Sequence, residues 1–136
     1  MLFKDFSDNE YKINLAKYKL ILDGRLRSKL FIEAVNIVKE VYPSDYLCAE
    51  VYIPCGNTKL YIDLFLPLRK IAIEVQGEQH YKFNRYMFKN KLHFNQSRLR
   101  DIEKRNLLEH NNIKLVYFDY NEKDKWKNIL ITAYQD

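Results

Sequence analysis

Residues 59–76, KLYIDLFLPLRKIAIEVQ, constrain the fold of this chain more than any other stretch. Leu60, Ile62, Leu64 and Leu66 alternate with Tyr61, Asp63 and Phe65; after a short "PLR" connection, Ile71, Ile73 and Val75 alternate with Ala72, Glu74 and Gln76. A period of two belongs to β-strands. Both runs are nearly continuous in apolar residues, the pattern of central strands covered on each face. Each nevertheless carries one carboxylate, Asp63 on the first and Glu74 on the second. Burying an unpaired carboxylate is costly, and two ionised ones side by side repel, so something positive must compensate. One compensator is an internal ion pair with a Lys or Arg from the segment 98–105. The other is a hard divalent cation, since Mg²⁺ takes one or two carboxylates and completes its shell with water and phosphate oxygens. A third acid, Glu33, is expected to approach from an upstream helix. The resulting centre is Glu33, Asp63 and Glu74, with Asp63, Glu74 and the Val75 carbonyl as metal oxygens.

The rest of the chain places these strands. "SDNE" at 7–10 has the form of a capping box and predicts an amphipathic helix running to about Gly24, so residues 1–27 read as an N-terminal helical extension. Ser28 caps a second predicted helix, whose Leu30, Ala34, Val35, Ile37, Val38 and Val41 recur at helical spacing until Pro43 stops it. "YLCAEVYI" predicts a strand, and Gly56-Asn57 the tip of a hairpin returning through 59–66. Beyond the 71–76 strand, a long basic helix from about 90 to 110 ends at "HNN", where an Asn can take the left-handed cap. "IKLVYFDY" is a fourth strand, and a closing helix from about 122 puts Trp126, Ile129, Leu130 and Ala133 on one face. This order argues an α/β sandwich, a mixed four-stranded sheet flanked by helices, with residues 28–136 as its core.

Charge narrows the class of partner. The excess of 23 basic over 18 acidic residues is mild, but residues 81–105 alone hold eight basic side chains against Asp101 and Glu103. Lys82, Arg85, Lys89, Lys91, Arg98, Arg100 and Lys104, interleaved with Tyr81, Phe83, Tyr86, Phe88 and Phe94, suit a polyanion whose bases or sugars also make contact. A solvated helix face with inward aromatics is the competing reading. Cys48 and Cys55 show no CxxC or Cys-His spacing, which argues against both a disulfide framework and a zinc site. No run approaches a membrane span and the N-terminus lacks a secretion signal, so a cytoplasmic protein is expected, or one of the host-cell cytoplasm if the chain is of viral or mobile-element origin.

Asp63, a gap of ten, then Glu74-Val75-Gln76 on the next strand resembles the PD-(D/E)xK nuclease superfamily. The fuller text YIDLFLPLRKIAIEVQGEQH with RLRDIEKRNLLEHNNIKLVYF is similar to its very-short-patch-repair (Vsr)-like endonucleases over about residues 28–120. The resemblance implies a restriction-endonuclease-like fold and a Mg²⁺-dependent centre, with Mn²⁺ able to substitute. Two departures stand out: Ile62 replaces the Pro of the superfamily name, and Gln76 stands where the family has a lysine. Gln carries no charge. Histidine near the centre serves the repair-type relatives, which makes His80 the candidate to take a proton from the attacking water or give one to the leaving oxygen. His93 and His110 read as structural. Asp101 either orients His80 or pairs with Arg105.

The expected activity is phosphodiester hydrolysis in DNA, serving repair, homing or defence, with Glu33, Asp63, Glu74, Gln76 and His80 as the catalytic set. Targeting would come from a homodimer or a partner protein, with no membrane involved. A disabled nuclease fold that only binds nucleic acid is the alternative. A third reading, a structural domain with Asp63 and Glu74 simply ion-paired, predicts neither metal affinity nor salt-dependent DNA binding.

Overall fold

The computed structural model describes residues 1–20, 27–56, 58–78 and 91–135. The chain opens with a small antiparallel hairpin, β1 (Leu2–Lys4) and β2 (Glu10–Lys12), followed by a short 3-10 helix at Leu15–Tyr18. Helix α1 (Lys29–Val41) leads to strands β3 (Cys48–Cys55), β4 (Thr58–Leu66) and β5 (Ile71–Gln76). Helix α2 (Lys91–His110) crosses to β6 (Lys114–Asp119), and a 3-10 turn at Lys123–Lys125 feeds α3 (Trp126–Gln135).

The four strands form one mixed sheet in the order β3-β4-β5-β6. The first two junctions are antiparallel; β5 and β6 pair in parallel, which requires a crossover and receives one in α2. Helices α1 and α3 cover one face, burying Ala34, Val35, Val38, Trp126 and Leu130 against Leu64, Leu66, Ile71, Ile73, Val116 and Phe118. Leu107 and Leu108 of α2 lie on the other, over Ile53, Leu60, Ile62, Phe65 and Ala72. The predicted mixed sheet flanked by helices is therefore present.

Local chemistry explains the element ends. Ser28 accepts a hydrogen bond from the Phe31 N–H at 3.1 Å and starts α1, as expected. Asn112 holds φ +59° just beyond α2, the left-handed cap read from "HNN". Gly56 at φ +59° turns the β3–β4 hairpin.

The amino-terminal helix is not formed. Over residues 1–20 the chain makes the β1–β2 hairpin and the 3-10 helix instead, and Ser7 caps nothing. The Asp5 carboxylate explains the outcome: it accepts from the Ser7 and Asn9 N–H groups, both at 2.9 Å, and from the Tyr11 hydroxyl at 3.2 Å, closing a turn in which Asp8 takes φ +61°. The hairpin is also no loose extension. Phe3 and Ile13 belong to the α2-side core, and the Asn111 side chain bonds both the N–H (2.7 Å) and the carbonyl (2.8 Å) of Lys4.

A second departure shapes the site. Simple alternation along β4 predicts Leu60, Ile62, Leu64 and Leu66 on one face. Leu60, Ile62 and Phe65 instead face α2, while Leu64 and Leu66 face α1 and α3. The facing reverses at Asp63. β3 reverses in step: Val51 and Ile53 share the α2 side with Cys48, whereas Ala49 lies on the other, and Glu50 between them has φ +53°. The register Val51↔Ile62 and Ala49↔Leu64 sets Glu50 opposite Asp63, so one irregularity turns both strands together.

Candidate functional site

The reversal opens the site. The β4–β5 ladder runs Leu64↔Ile73, Phe65↔Ala72 and Leu66↔Ile71, and ends before Asp63. Beyond that point the Asp63 side chain replaces the neighbouring backbone, its Oδ2 accepting from the Val75 N–H at 2.8 Å. Where the tip half of β4 leaves β5, a cleft of about 550 Å³ lies beneath α2, lined by Lys59, Tyr61, Glu74, Arg100, Asp101 and Lys104, among others.

Glu74 points into this cleft on the α2 side. Its Oε2 lies 2.7 Å from Lys104 Nζ, and that ammonium also donates to the Tyr61 carbonyl. Both side chains are largely covered, with 19% of Glu74 and 13% of Lys104 exposed. Burial and the charge of Asp63 push the Glu74 carboxyl up to about 7, against the pull of Lys104, and Asp101 adds to the rise. Three carboxylates thus act around one ammonium. The ion-pair alternative from the sequence accordingly describes Glu74, with Lys104 as partner.

The donor set suits a hard cation all the same. Asp63 and Glu74 come from neighbouring strands and influence each other electrostatically, and the Val75 carbonyl lies on the same stretch of β5. Among the described residues no three His, Cys, Asp or Glu side chains converge on one point, so a cation held here would draw the rest of its shell from main chain, water and substrate.

The third expected acid lies elsewhere. The Glu33 carboxylate is 2.7 Å from Lys123 Nζ and 4.0 Å from Lys29 Nζ, and the Lys123 contact holds its carboxyl below the usual range. The groups acting most strongly on Glu74 are Asp63, Lys104 and Asp101, not Glu33. The helical spacing that put Glu33 at the margin of the α1 stripe is real. That margin meets the lysine ahead of α3.

Gln76, two residues beyond Glu74 on the same side of β5, is the buried polar residue of the sheet. It lines a second cleft, of about 450 Å³, on the other flank of α2, with Arg98, Asp101, Arg105, Asn106, Tyr117 and Asp119. The Arg105 guanidinium lies 4.9 Å from the Tyr117 ring centre. Burial raises the Tyr117 hydroxyl and Arg105 opposes it. Asp101 borders both clefts.

Of the expected nucleic-acid contacts, Arg98 and Arg100 are exposed on α2, and Lys91 opens that helix. Lys104 is turned inward onto Glu74. His80, Lys82, Arg85 and Lys89 lie outside the described residues. His110 ends α2, as expected, with Nε2 3.2 Å from Asp8 Oδ1. Sequence reasoning counted Lys104 among the phosphate contacts and gave the 98–105 segment as the source of an internal ion pair. The spacing of Lys104 to Leu107 and Leu108, three and four residues on, was the signal that it shares their buried side.

No helix among the described residues is long and apolar enough to cross a membrane. No protein-family model matches the chain. No solved structure matches it either. The chain is similar to Uncharacterized protein 307L of Invertebrate iridescent virus 6, with 41% identity over 69 residues, 51% of this chain and 35% of that protein. It is also similar to Uncharacterized protein 033L of Invertebrate iridescent virus 3, with 33% identity over 70 residues, 52% of this chain and 36% of that one. The chain thus spans only about a third of the length of these two viral relatives.

Proposed function

We propose that the chain is a divalent-metal-dependent endonuclease acting on DNA, built on a restriction-endonuclease-like arrangement of its mixed sheet. The observation that carries this reading is the parting of β4 from β5 at Asp63, which leaves Asp63 acting electrostatically on Glu74 where Glu74 lines a cleft below a basic helix. Burial and Asp63 raise the Glu74 carboxyl against the pull of Lys104, and Mg²⁺ or Mn²⁺ on Asp63, Glu74 and the Val75 carbonyl would offset that rise. When bound, the cation would activate water and offset charge growing on the phosphoryl oxygens. The chain's own part is to hold the two carboxylates in place, Asp63 through the Val75 N–H and Glu74 through Lys104. Arg98 and Arg100 are proposed as phosphate contacts, His80 as the proton carrier, and a second copy or a partner protein as the source of targeting. The viral relatives make a host-cell compartment the proposed place of action.

The test is cleavage of supercoiled plasmid in Mg²⁺ or Mn²⁺. Wild type should cut, and Asp63→Ala and Glu74→Ala should each lose about 10²-fold or more of the rate, as when a group stabilising the transition state is removed. A wild type that does not cut any substrate offered, whatever the metal, refutes the reading. A specific observation favours one second reading: Gln76 is neutral and Glu74 already has a counter-ion, which fits a nucleic-acid-binding module with a disabled centre. That module would shift DNA in a gel without cutting it.

A further inference from the structure

The metal centre proposed above leaves the second cleft, lined from α2, β6 and the end of β5, without a role. Regular spacing builds its walls. Arg98, Asp101 and Arg105 recur three and four residues apart and so lie along one side of α2. The sheet supplies Gln76 from β5, and from β6 Tyr117 and Asp119, which stand two apart and face the same way.

The chemistry of this lining does not suit a simple ion. A phosphate would meet two carboxylates along with the guanidiniums, and a metal ion would meet two guanidiniums along with the carboxylates. Arginines donate hydrogen bonds, aspartates accept them, and the amides of Gln76 and Asn106 do both. A flat heteroaromatic ring with donors and acceptors along its edge can use all of these groups, and nucleobases are recognised by these same side chains. The cleft also holds a planar surface. The Arg105 guanidinium lies 4.9 Å from the Tyr117 ring centre and donates a hydrogen bond to the Tyr117 side chain. Tyr117 is half-buried and Arg105 is exposed, so the guanidinium is anchored on its inner side and open to a ligand on its outer one. Anchoring it beforehand reduces the entropy lost on binding. Guanidinium planes and aromatic rings are the platforms on which unpaired bases stack. With a volume of about 450 Å³ the cleft has room for a base and its sugar but not for a paired duplex.

We infer that the cleft between α2 and β6 is a subsite for one unpaired base of a nucleic-acid strand: Arg105, held by Tyr117, stacks on the base, while Gln76, Asn106 and the two aspartates bond its edge. Within a duplex that edge and both faces are covered, so the base enters only when it is single-stranded or extruded. This assignment rests on the nucleic-acid reading above and names the form of nucleic acid that the protein takes.

Three oligonucleotides of equal length separate base from phosphate: a mixed-sequence single strand, its counterpart of abasic sugar-phosphates, and its paired duplex. Their affinities for the full chain are measured by fluorescence anisotropy in EDTA, where no metal-dependent cutting occurs. The base-bearing strand should bind wild type at least about fivefold more tightly than the abasic one, and Arg105→Met should bring that ratio below about twofold. An arginine that touched only phosphate would weaken both strands alike and leave the ratio unchanged, which overturns the inference. A base-bearing strand bound no better than the abasic one, by a wild type that still binds either strand or the duplex, also overturns it while nucleic-acid binding stands. If wild type binds none of the three, the nucleic-acid reading falls and the inference with it. Should Arg105→Met not fold, Asn106→Ala at an exposed position should at least halve the same ratio, and a ratio equal to wild type overturns the inference.

Discussion

Glu74 is held by one lysine in the presence of two further acids, and that imbalance shows in its proton affinity. Its carboxyl is raised to about 7 by burial and by Asp63, whereas a carboxyl in the unfolded chain titrates near the ordinary glutamate value of 4.5. Between those two values the folded protein keeps a proton that the unfolded chain has lost. More protons bound in the folded state means that stability falls as pH rises through this window, by on the order of 1–3 kcal/mol, and levels off above it. Glu33 and Asp5, whose carboxyls are lowered, act in the opposite sense and only in more acid solution. In the absence of metal, urea midpoints should therefore decline from about pH 5 to about pH 8. Glu74→Gln should flatten that slope, and a slope unchanged in this variant would mean that Glu74 is not the group responsible.

At the scale of elements, the sheet and its helices were legible wherever a run was long enough to show its period. Helix α3 is an example: Trp126, Ile129, Leu130 and Ala133 were readable as one face, and Trp126 is buried with its ring stacked on Phe118 at 4.8 Å and its Nε1 donating to the Asp119 carbonyl at 2.9 Å. Trp126→Ala should cost about 3–5 kcal/mol in urea unfolding. A loss under about 1 kcal/mol would show that α3 contributes little to the core on that face. The amino-terminal hairpin was not legible, because three-residue strands carry no period and "SDNE" serves a helix cap and a tight turn equally well. The reversal at Glu50 and Asp63 was hidden as well. Residues 60–66 alternate regularly as text, and a non-glycine residue at positive φ, as at Glu50, leaves no mark in composition. The adjacency of Asp63 and Glu74 could be read, since it needs only neighbouring strands. The partner of Glu33 could not, since it depends on how α1 is rotated over the sheet, and for Glu74 the sequence named the 98–105 segment as the source of a counter-ion without singling out Lys104.

For the molecule as a whole, the proposed interface is the solvent side of α2, where Arg98 and Arg100 are exposed, with the two clefts along its flanks. If these arginines meet phosphates, DNA affinity should fall steeply with salt, and Arg98→Ala or Arg100→Ala should each lower the slope of log K against log salt by about 0.9. Slopes identical to wild type in both variants would move the contact surface elsewhere. The exchange of facing at Glu50 and Asp63 has a mechanical consequence. The tip half of the β3–β4 hairpin buries Val51, Ile53, Leu60 and Ile62 toward α2, while its base is divided, Cys48 and Phe65 toward α2 and Ala49, Leu64 and Leu66 toward α1 and α3. Asp63 is the crossing point, flanked by Ile62 buried in one layer and Leu64 buried in the other. A change of volume at either neighbour is therefore passed directly to the backbone that carries the aspartate, and both cores have a say in where its carboxylate sits.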